Sequence, residues 1–212
     1  MNQTTMPRRR WLLKLIALGA LAWPTLGAAQ TGVTSPAPRS ALPGDSVYQT
    51  RAVMVDQDGK TFTLEERRGQ PVLVSMFYNS CQFVCPMLIE AMRATEQKLS
   101  AEERSHLSMM LITFDPARDD VKALKAVVDK RELDPARWTL ARTDAASVRK
   151  IAATLGIQYR LLADGDYNHT TVLILLDGDG RILGRTNKIG GTDPAFVKLV
   201  RQAAQAAGQR AS

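Results

Sequence analysis

Residues Val72-Leu73-Val74-Ser75-Met76-Phe77-Tyr78 form an unbroken, almost wholly apolar run. It is short for a helix and shows no polar alternation, so it reads as a strand buried on both faces. Such a strand needs cover on each side, which excludes a one-sided sheet. The surrounding pattern supplies that cover. Pro86 to Leu99 carries Met87, Leu88, Ala91, Met92, Thr95 and Leu99 at helical spacing, with Pro86 suited to a first turn. Ser108 to Phe114 is a second apolar strand, and Asp119 to Lys130 is a helix turning Val121, Leu124, Val127 and Val128 inward. Trp138 to Leu140 is a short strand, and Ala145 to Leu155 is a helix stopped by Gly156.

Hairpins close both ends of this alternation. Arg51 to Val55 and Lys60 to Leu64 flank Asp56-Gln57-Asp58-Gly59. Thr171 to Leu176 and Arg181 to Arg185 flank Asp177-Gly178-Asp179-Gly180, which lacks the twelve-residue loop of a calcium site and reads as a turn. Pro194 to Ala207 is the last helix. The order predicts an α/β, thioredoxin-like fold: a central mixed β-sheet with helices on both faces, an N-terminal β-hairpin and an inserted helix–strand pair. The folded domain is expected over 46–207, with 208–212 as a tail.

Residues 1–29 read as a signal peptide. Arg8, Arg9 and Arg10 precede an apolar stretch from Leu12 to Trp23, and Gly27 and Ala29 fit a cleavage site. The stretch from Arg9 to Lys14 has a loose twin-arginine pattern, and an uncleaved leader would act as an anchor. No cysteine follows the apolar segment, so a lipid anchor is not expected. Residues 30–45, rich in Ser, Thr, Pro, Ala and Gly, read as a flexible linker. The whole chain carries 28 basic and 21 acidic residues, but without the leader its net charge falls from +7 to +3. The basic character therefore belongs mainly to the leader, and a nucleic-acid partner is not expected.

Export gives the two cysteines their meaning. Cys81 and Cys85 are four residues apart, and a disulfide between them would close too small a loop to act as a staple. They lie where a buried strand ends and a helix begins. Ligand sites in open α/β sheets favour that edge, and the helix start favours thiolate over thiol. The pair could form a reversible disulfide or grip one ion. A metal would need a third ligand, and the chain offers two histidines. His106 sits in a charged stretch and reads as a surface residue. His169 sits in a loop leading into the strand Thr171–Leu176, which in a thioredoxin-like fold faces the cysteine loop. Two thiolates and an imidazole form a soft set suited to copper, especially Cu(I), or to zinc.

The segments Phe77-Tyr78-Asn79-Ser80-Cys81-Gln82-Phe83-Val84-Cys85-Pro86, Phe114-Asp115-Pro116-Ala117-Arg118-Asp119 and His169-Thr170, ahead of Val172 to Leu175, resemble the Sco/SenC family. The resemblance covers about Val47 to Ala203. It implies a thioredoxin-fold copper-binding protein with Cys81, Cys85 and His169 as ligands to one copper ion. It also implies a protein that assembles the dinuclear copper site of a respiratory oxidase, by donating copper or by reducing the target's cysteines; the leader makes the expected location periplasmic, at the inner membrane if the leader is uncleaved. Its expected partners are the copper-site subunit of such an oxidase or a similar copper enzyme, and another copper chaperone or thiol reductant. Family members often have Pro and Asp where Gln82 and Phe83 stand, and Asp where Asn168 stands. This chain therefore lacks two negative charges close to the expected site, which would weaken the tuning of the ligands.

The alternative is a thiol–disulfide oxidoreductase with little or no metal binding, using Cys81 and Cys85 as a redox-active pair and Cys81 as attacker. Phe83-Val84-Cys85-Pro86 also resembles a peroxiredoxin segment, but Gln82 stands where the peroxide-orienting Thr would be. Met76, Met92, Met109 and Met110 fall in core patterns, leaving Met87 as the one methionine expected near the site. Trp138 and Tyr159 read as core or rim aromatics. Asp115, Arg118 and Asp119 read as a loop in which the arginine bridges the acids.

Overall fold

A computed structural model describes residues 40–81 and 84–211. The expected signal peptide, residues 30–39 of the expected linker, and Gln82 and Phe83 lie outside the described residues. No helix among the described residues is long and apolar enough to cross a membrane.

A seven-stranded mixed sheet forms the centre. Strands β1 (Val53–Asp56) and β2 (Thr61–Thr63) form the N-terminal hairpin. Three parallel strands follow in space: β3 (Val72–Phe77), β4 (Ser108–Thr113) and β5 (Trp138–Arg142). Their crossovers hold helices α1 (Val84–Gln97) and α2 (Ala101–Ser105), then α3 (Val121–Lys130). After α4 (Ala145–Leu155) a small hairpin, β6 (Tyr159–Leu161) and β7 (Tyr167–His169), stands apart from the sheet. Strands β8 (Leu173–Leu176) and β9 (Ile182–Thr186) return antiparallel beside β3, and α5 (Pro194–Ala211) ends the fold.

Every residue of β3 and β8 is buried. Side chains alternate between faces along a strand, so both faces of the sheet are covered there, as the apolar run requires. Met76, Met92, Met109 and Met110 lie in this core, and Trp138 is buried with its indole N–H donating to Glu96.

Local chemistry explains most element boundaries. Asp120 and Asp144 cap α3 and α4 through their side chains, and Gly156 ends α4 in the left-handed region at φ 64°. At the β8–β9 turn, Gly180 is required: a Cβ there would come within 2.7 Å of Ser46 Oγ and of the Tyr48 ring.

Three expectations need correction. The fold reaches back past Ser46: Leu42 packs against the core, Arg68 donates to Ser40, and Arg181 pairs with Asp45 at 2.9 Å. Residues 40–45 therefore lie on the domain instead of belonging to a flexible linker. The last helix continues beyond Ala207, so residues 208–211 are not a tail. Its final turns pack on α2, the turn sequence reasoning overlooked: Gln205 donates to Glu103, and Gly208 lies so close to His106 that a Cβ would meet the ring at 3.0 Å. Contact with α5 leaves His106 half-buried instead of exposed. Finally, His169 ends a strand, where a loop was expected. Gly165, at φ 86°, makes the turn, and Tyr159 and Tyr167 pack their rings across the resulting hairpin.

Candidate metal centre

The site is assembled from two separate pieces of chain. The first is the end of β3. Tyr78, Asn79 and Ser80 turn the chain out of the sheet, and the Cys81 N–H donates to the Tyr78 carbonyl at 3.4 Å. Helix α1 starts at Val84, two residues earlier than expected, which puts Cys85 in its first turn. The Cys85 N–H points at Cys81 Sγ at 3.4 Å. Such a donor favours negative charge on the sulfur.

The two sulfurs differ in environment. Cys81 is half-buried, and Cys85 is 3% exposed. Burial pushes the Cys85 thiol well above its ordinary range, and the neighbouring Cys81 adds to the rise. At Cys85 the expected helix-start preference for thiolate is thus overridden by desolvation. Cys81 is the more accessible sulfur, as the attacker in the thiol–disulfide reading has to be.

The second piece is the β6–β7 hairpin. His169 lies opposite Tyr159 in the strand register. Its ring packs among aromatics, with centroids 4.9 Å from Phe114 and 5.8 Å from Tyr78. Burial lowers its pKa below the ordinary value of 6.5, with the Thr170 carbonyl acting in the opposite direction. His169 Nδ1 lies 3.2 Å from that carbonyl. A carbonyl can only accept, so Nδ1 carries the proton and Nε2 keeps its lone pair. The neutral ring is therefore held ready as a ligand.

These pieces converge. Among the described residues, Cys81, Cys85 and His169 form a group whose ligand atoms all lie within 4.8 Å of one another. That span is short enough for a single ion to be shared with small adjustments, since copper and zinc bonds to sulfur and nitrogen run about 2.0–2.3 Å. A cleft of about 520 Å³ opens beside the two cysteines, lined by Asn79, Pro86, Ile89, Val127, Lys130 and Arg131. Met87, half exposed at the start of α1, does not line it. Asn168 is exposed opposite Arg160, where a carboxylate was expected from family pattern.

The loop after β4 has a different wiring from the expected arginine bridging two acids. Arg118 pairs with Asp115 alone and donates to the Gly165 carbonyl at 2.8 Å. Asp119 accepts from the Thr113 hydroxyl and, at 3.1 Å, from the Asn79 N–H. Sequence reasoning also missed Tyr78, whose hydroxyl donates to Asp166 at 2.9 Å. The signal for it was available in part: a tyrosine ending a buried strand needs a polar partner for its hydroxyl.

Known proteins resemble this chain in sequence and in fold. A Stutzerimonas stutzeri protein named for copper binding is 28% identical over 135 residues, 62% of this chain and 65% of that protein. The chain thus spans a little under two thirds of that relative. The crystal structure of Arabidopsis thaliana ScoI with copper bound superposes with a TM-score of 0.61 at 20% identity, covering 71% of this chain and 96% of that one. BsSco, described as a member of the Sco family of cytochrome c oxidase assembly proteins, gives 0.62 at 22% identity, covering 72% and 90%. At such identities the structures establish the fold, and that fold is the thioredoxin-like one expected from the element order. The family model for SCO1/SenC matches residues 43–204, most of the chain and nearly all of its described part, and the chain belongs to that family.

Proposed function

We propose that this chain binds one copper ion through Cys81, Cys85 and His169 and serves assembly of the dinuclear copper site of a respiratory oxidase. The observation that carries the reading is the convergence of two sulfurs and one imidazole, from separate elements, within 4.8 Å. Copper here is cargo. Two thiolates and a neutral imidazole are a soft donor set that suits it. The half-buried Cys81 and the adjoining cleft leave a side from which a partner's cysteines can reach the ion, so transfer proceeds by ligand exchange. A relative named for copper binding, a copper-bound structural neighbour and a member of a family of oxidase assembly proteins with the same fold support the assignment. The expected setting is the exported, periplasmic side of a membrane, with the leader as export signal or anchor. The expected partners are the copper-site subunit of the oxidase and a second copper chaperone or thiol reductant.

A second reading has its own support in the unequal burial of the sulfurs. Cys81, the accessible one, attacks a partner disulfide and releases one partner sulfur as thiolate. Cys85 then displaces the partner from the mixed disulfide, leaving a Cys81–Cys85 disulfide and a fully reduced partner. Two electrons and two protons pass to the partner. This step needs no histidine.

Copper stoichiometry separates the readings. The reduced protein and a His169→Ala variant are loaded anaerobically against a competing chelator. One copper per wild-type chain, lost in the variant, supports the three-ligand site. No copper on the wild type, together with reduction of a disulfide substrate, moves the assignment to the second reading.

A further inference from the structure

The two pieces of the site touch directly through Tyr78, whose hydroxyl donates to Asp166 and whose ring packs on Tyr167 and His169, and a third element ties them a second time. It is the loop Asp115–Asp119, which follows β4 and closes on itself, with the Arg118 and Asp119 N–H groups both donating to the Asp115 carbonyl at 3.2 and 3.0 Å. One end grips the cysteine piece. Asp119 is 2% exposed, and its carboxylate accepts from the Asn79 N–H, two residues before Cys81, and from the Thr113 hydroxyl. The other end grips the histidine piece. The Arg118 guanidinium pairs with Asp115, donates to the Gly165 carbonyl at the hairpin turn, and lies 5.6 Å from the centre of the Tyr167 ring. Tyr167 and His169 sit on the same face of β7, two residues apart.

We infer that Arg118 and Asp119 are positioning residues that set the distance between the thiols and the imidazole, Asp119 through the cysteine loop and Arg118 through the hairpin. The inference rests on the copper reading above, because it says how the three ligands are held at binding distance. Its physical basis is the geometry of the two grips. Arginine presents a rigid fork of donors, so one side chain can hold Asp115 with one edge and the Gly165 carbonyl with another. Three-residue strands cannot fix their own orientation against the sheet, and the hairpin has few other ties to it.

The division of labour gives each residue a separate signature. Arg118→Ala frees the hairpin and leaves the cysteine loop anchored. It is expected to weaken copper binding about tenfold, while the Cys81–Cys85 reduction potential stays at its wild-type value. Arg118 is an exposed residue with its side chain 46% accessible, but its partner Asp115 is buried, so the variant is expected to fold with a lowered Tm. Arg118→Lys keeps the charge and loses the fork, and it is expected to restore less than half of the loss. Asp119→Asn has the opposite pattern: it alters the reduction potential of the pair.

The deciding experiment is a double-mutant cycle on copper affinity with His169→Ala, combined with proton NMR of the metal-free proteins. If Arg118 acts through His169, Arg118→Ala makes no further difference once His169 is gone. In the metal-free protein it also weakens the ring contacts of His169 with Tyr78 and Phe114. An additive cycle, or wild-type affinity in Arg118→Ala, overturns the inference. If the wild type itself binds no copper, the copper reading fails and the ring contacts decide: unchanged contacts in Arg118→Ala overturn the positioning role as well.

Discussion

Cys85 and His169 meet from scaffolds of opposite character. The cysteines hang from β3, which pairs over six residues with β4 and over three with β8, and which has no exposed residue. Helix α1 then buries Leu88, Ile89, Ala91 and Met92 against the same core. His169 hangs from a hairpin of two three-residue strands with only half-buried or exposed residues. That hairpin has no sheet neighbour, and it holds to the domain through ring packing, the Tyr78–Asp166 hydrogen bond and the Arg118–Gly165 contact. Openings of such weakly packed units cost far less than global unfolding. The comparison teaches that the thiols form the rigid half of the site and the imidazole the movable half. A metal that must be bound and then released is served by one ligand that can leave first.

Substitution of the rigid half has the largest expected effect. Cys81→Ser and Cys85→Ser each remove one of two thiolates, and an alcohol is a poor ligand for a soft ion. Both variants are expected to retain no copper against a chelator that leaves the wild type loaded, with metal analysis after desalting as the check. Disulfide exchange should also vanish in both, since attack and resolution each need a sulfur. A Cys85→Ser variant that kept full copper would mean that the buried sulfur is not a ligand.

Loss of the movable half comes next. His169→Ala is expected to weaken copper binding about a hundredfold or more, because losing even a group that only orients a metal ligand costs about 10–100-fold. The same variant should still reduce a disulfide substrate at close to the wild-type rate. Equal loss of both activities would show that the imidazole also tunes the thiols, and the contrast between the halves would blur.

Acid acts on the same half, more weakly. Burial holds the folded pKa of His169 below 6.5, so the unfolded chain takes up its proton first as pH falls. Where the unfolded state binds more protons, stability drops with pH. The His169 contribution is thus full above pH 6.5, falls as pH approaches the folded pKa and is completely lost below it. Denaturant melts from pH 7.5 to 4.5 should show this step in the wild type and lose it in His169→Ala. A step of the opposite sign would place a charged imidazole in the native protein.

The contrast also decides what sequence could reveal. The run Val72–Tyr78, the helical spacing of Leu88, Ala91 and Met92, and the Gly156 stop are local signals, and the structure has the strand, helix and stop there. The convergence of His169 with the cysteines was legible only through the element order, because 83 residues of chain lie between it and Cys85. The β6–β7 hairpin escaped because strands so short leave no periodicity to read, and its stability comes from Phe114 on a distant strand end. The loop wiring escaped for a related reason. Asp-Pro-x-Arg-Asp showed the charges together, but whether Arg118 faced Asp119 or the Gly165 carbonyl depended on the hairpin that was not foreseen.

The smallest expected effect is read on the hairpin without any metal. Tyr78 is 3% exposed, and burial, followed by the hydrogen bonds to Asp166 and Cys81, pushes its phenol pKa up, which favours the hydroxyl as a donor. Tyr78→Phe keeps the ring, with its contacts to Phe114 and Tyr167, and removes the hydroxyl that holds Asp166 and also bonds Cys81. A hydrogen bond of this kind contributes about 1 kcal/mol net, or roughly fivefold in an opening equilibrium. Amide hydrogen exchange of the metal-free protein reads that directly. The Leu162 N–H, which donates to Asp166, and the Thr170 N–H, which donates to Gln158, should exchange about fivefold faster in the variant, while β3 amides such as that of Val74 stay at their wild-type rates. Acceleration shared by Val74 would mean that the hairpin opens only with the whole domain, and the two halves would then be one cooperative unit. Acceleration confined to the hairpin would show that the strands carrying His169 open while β3, from which the cysteines hang, stays closed.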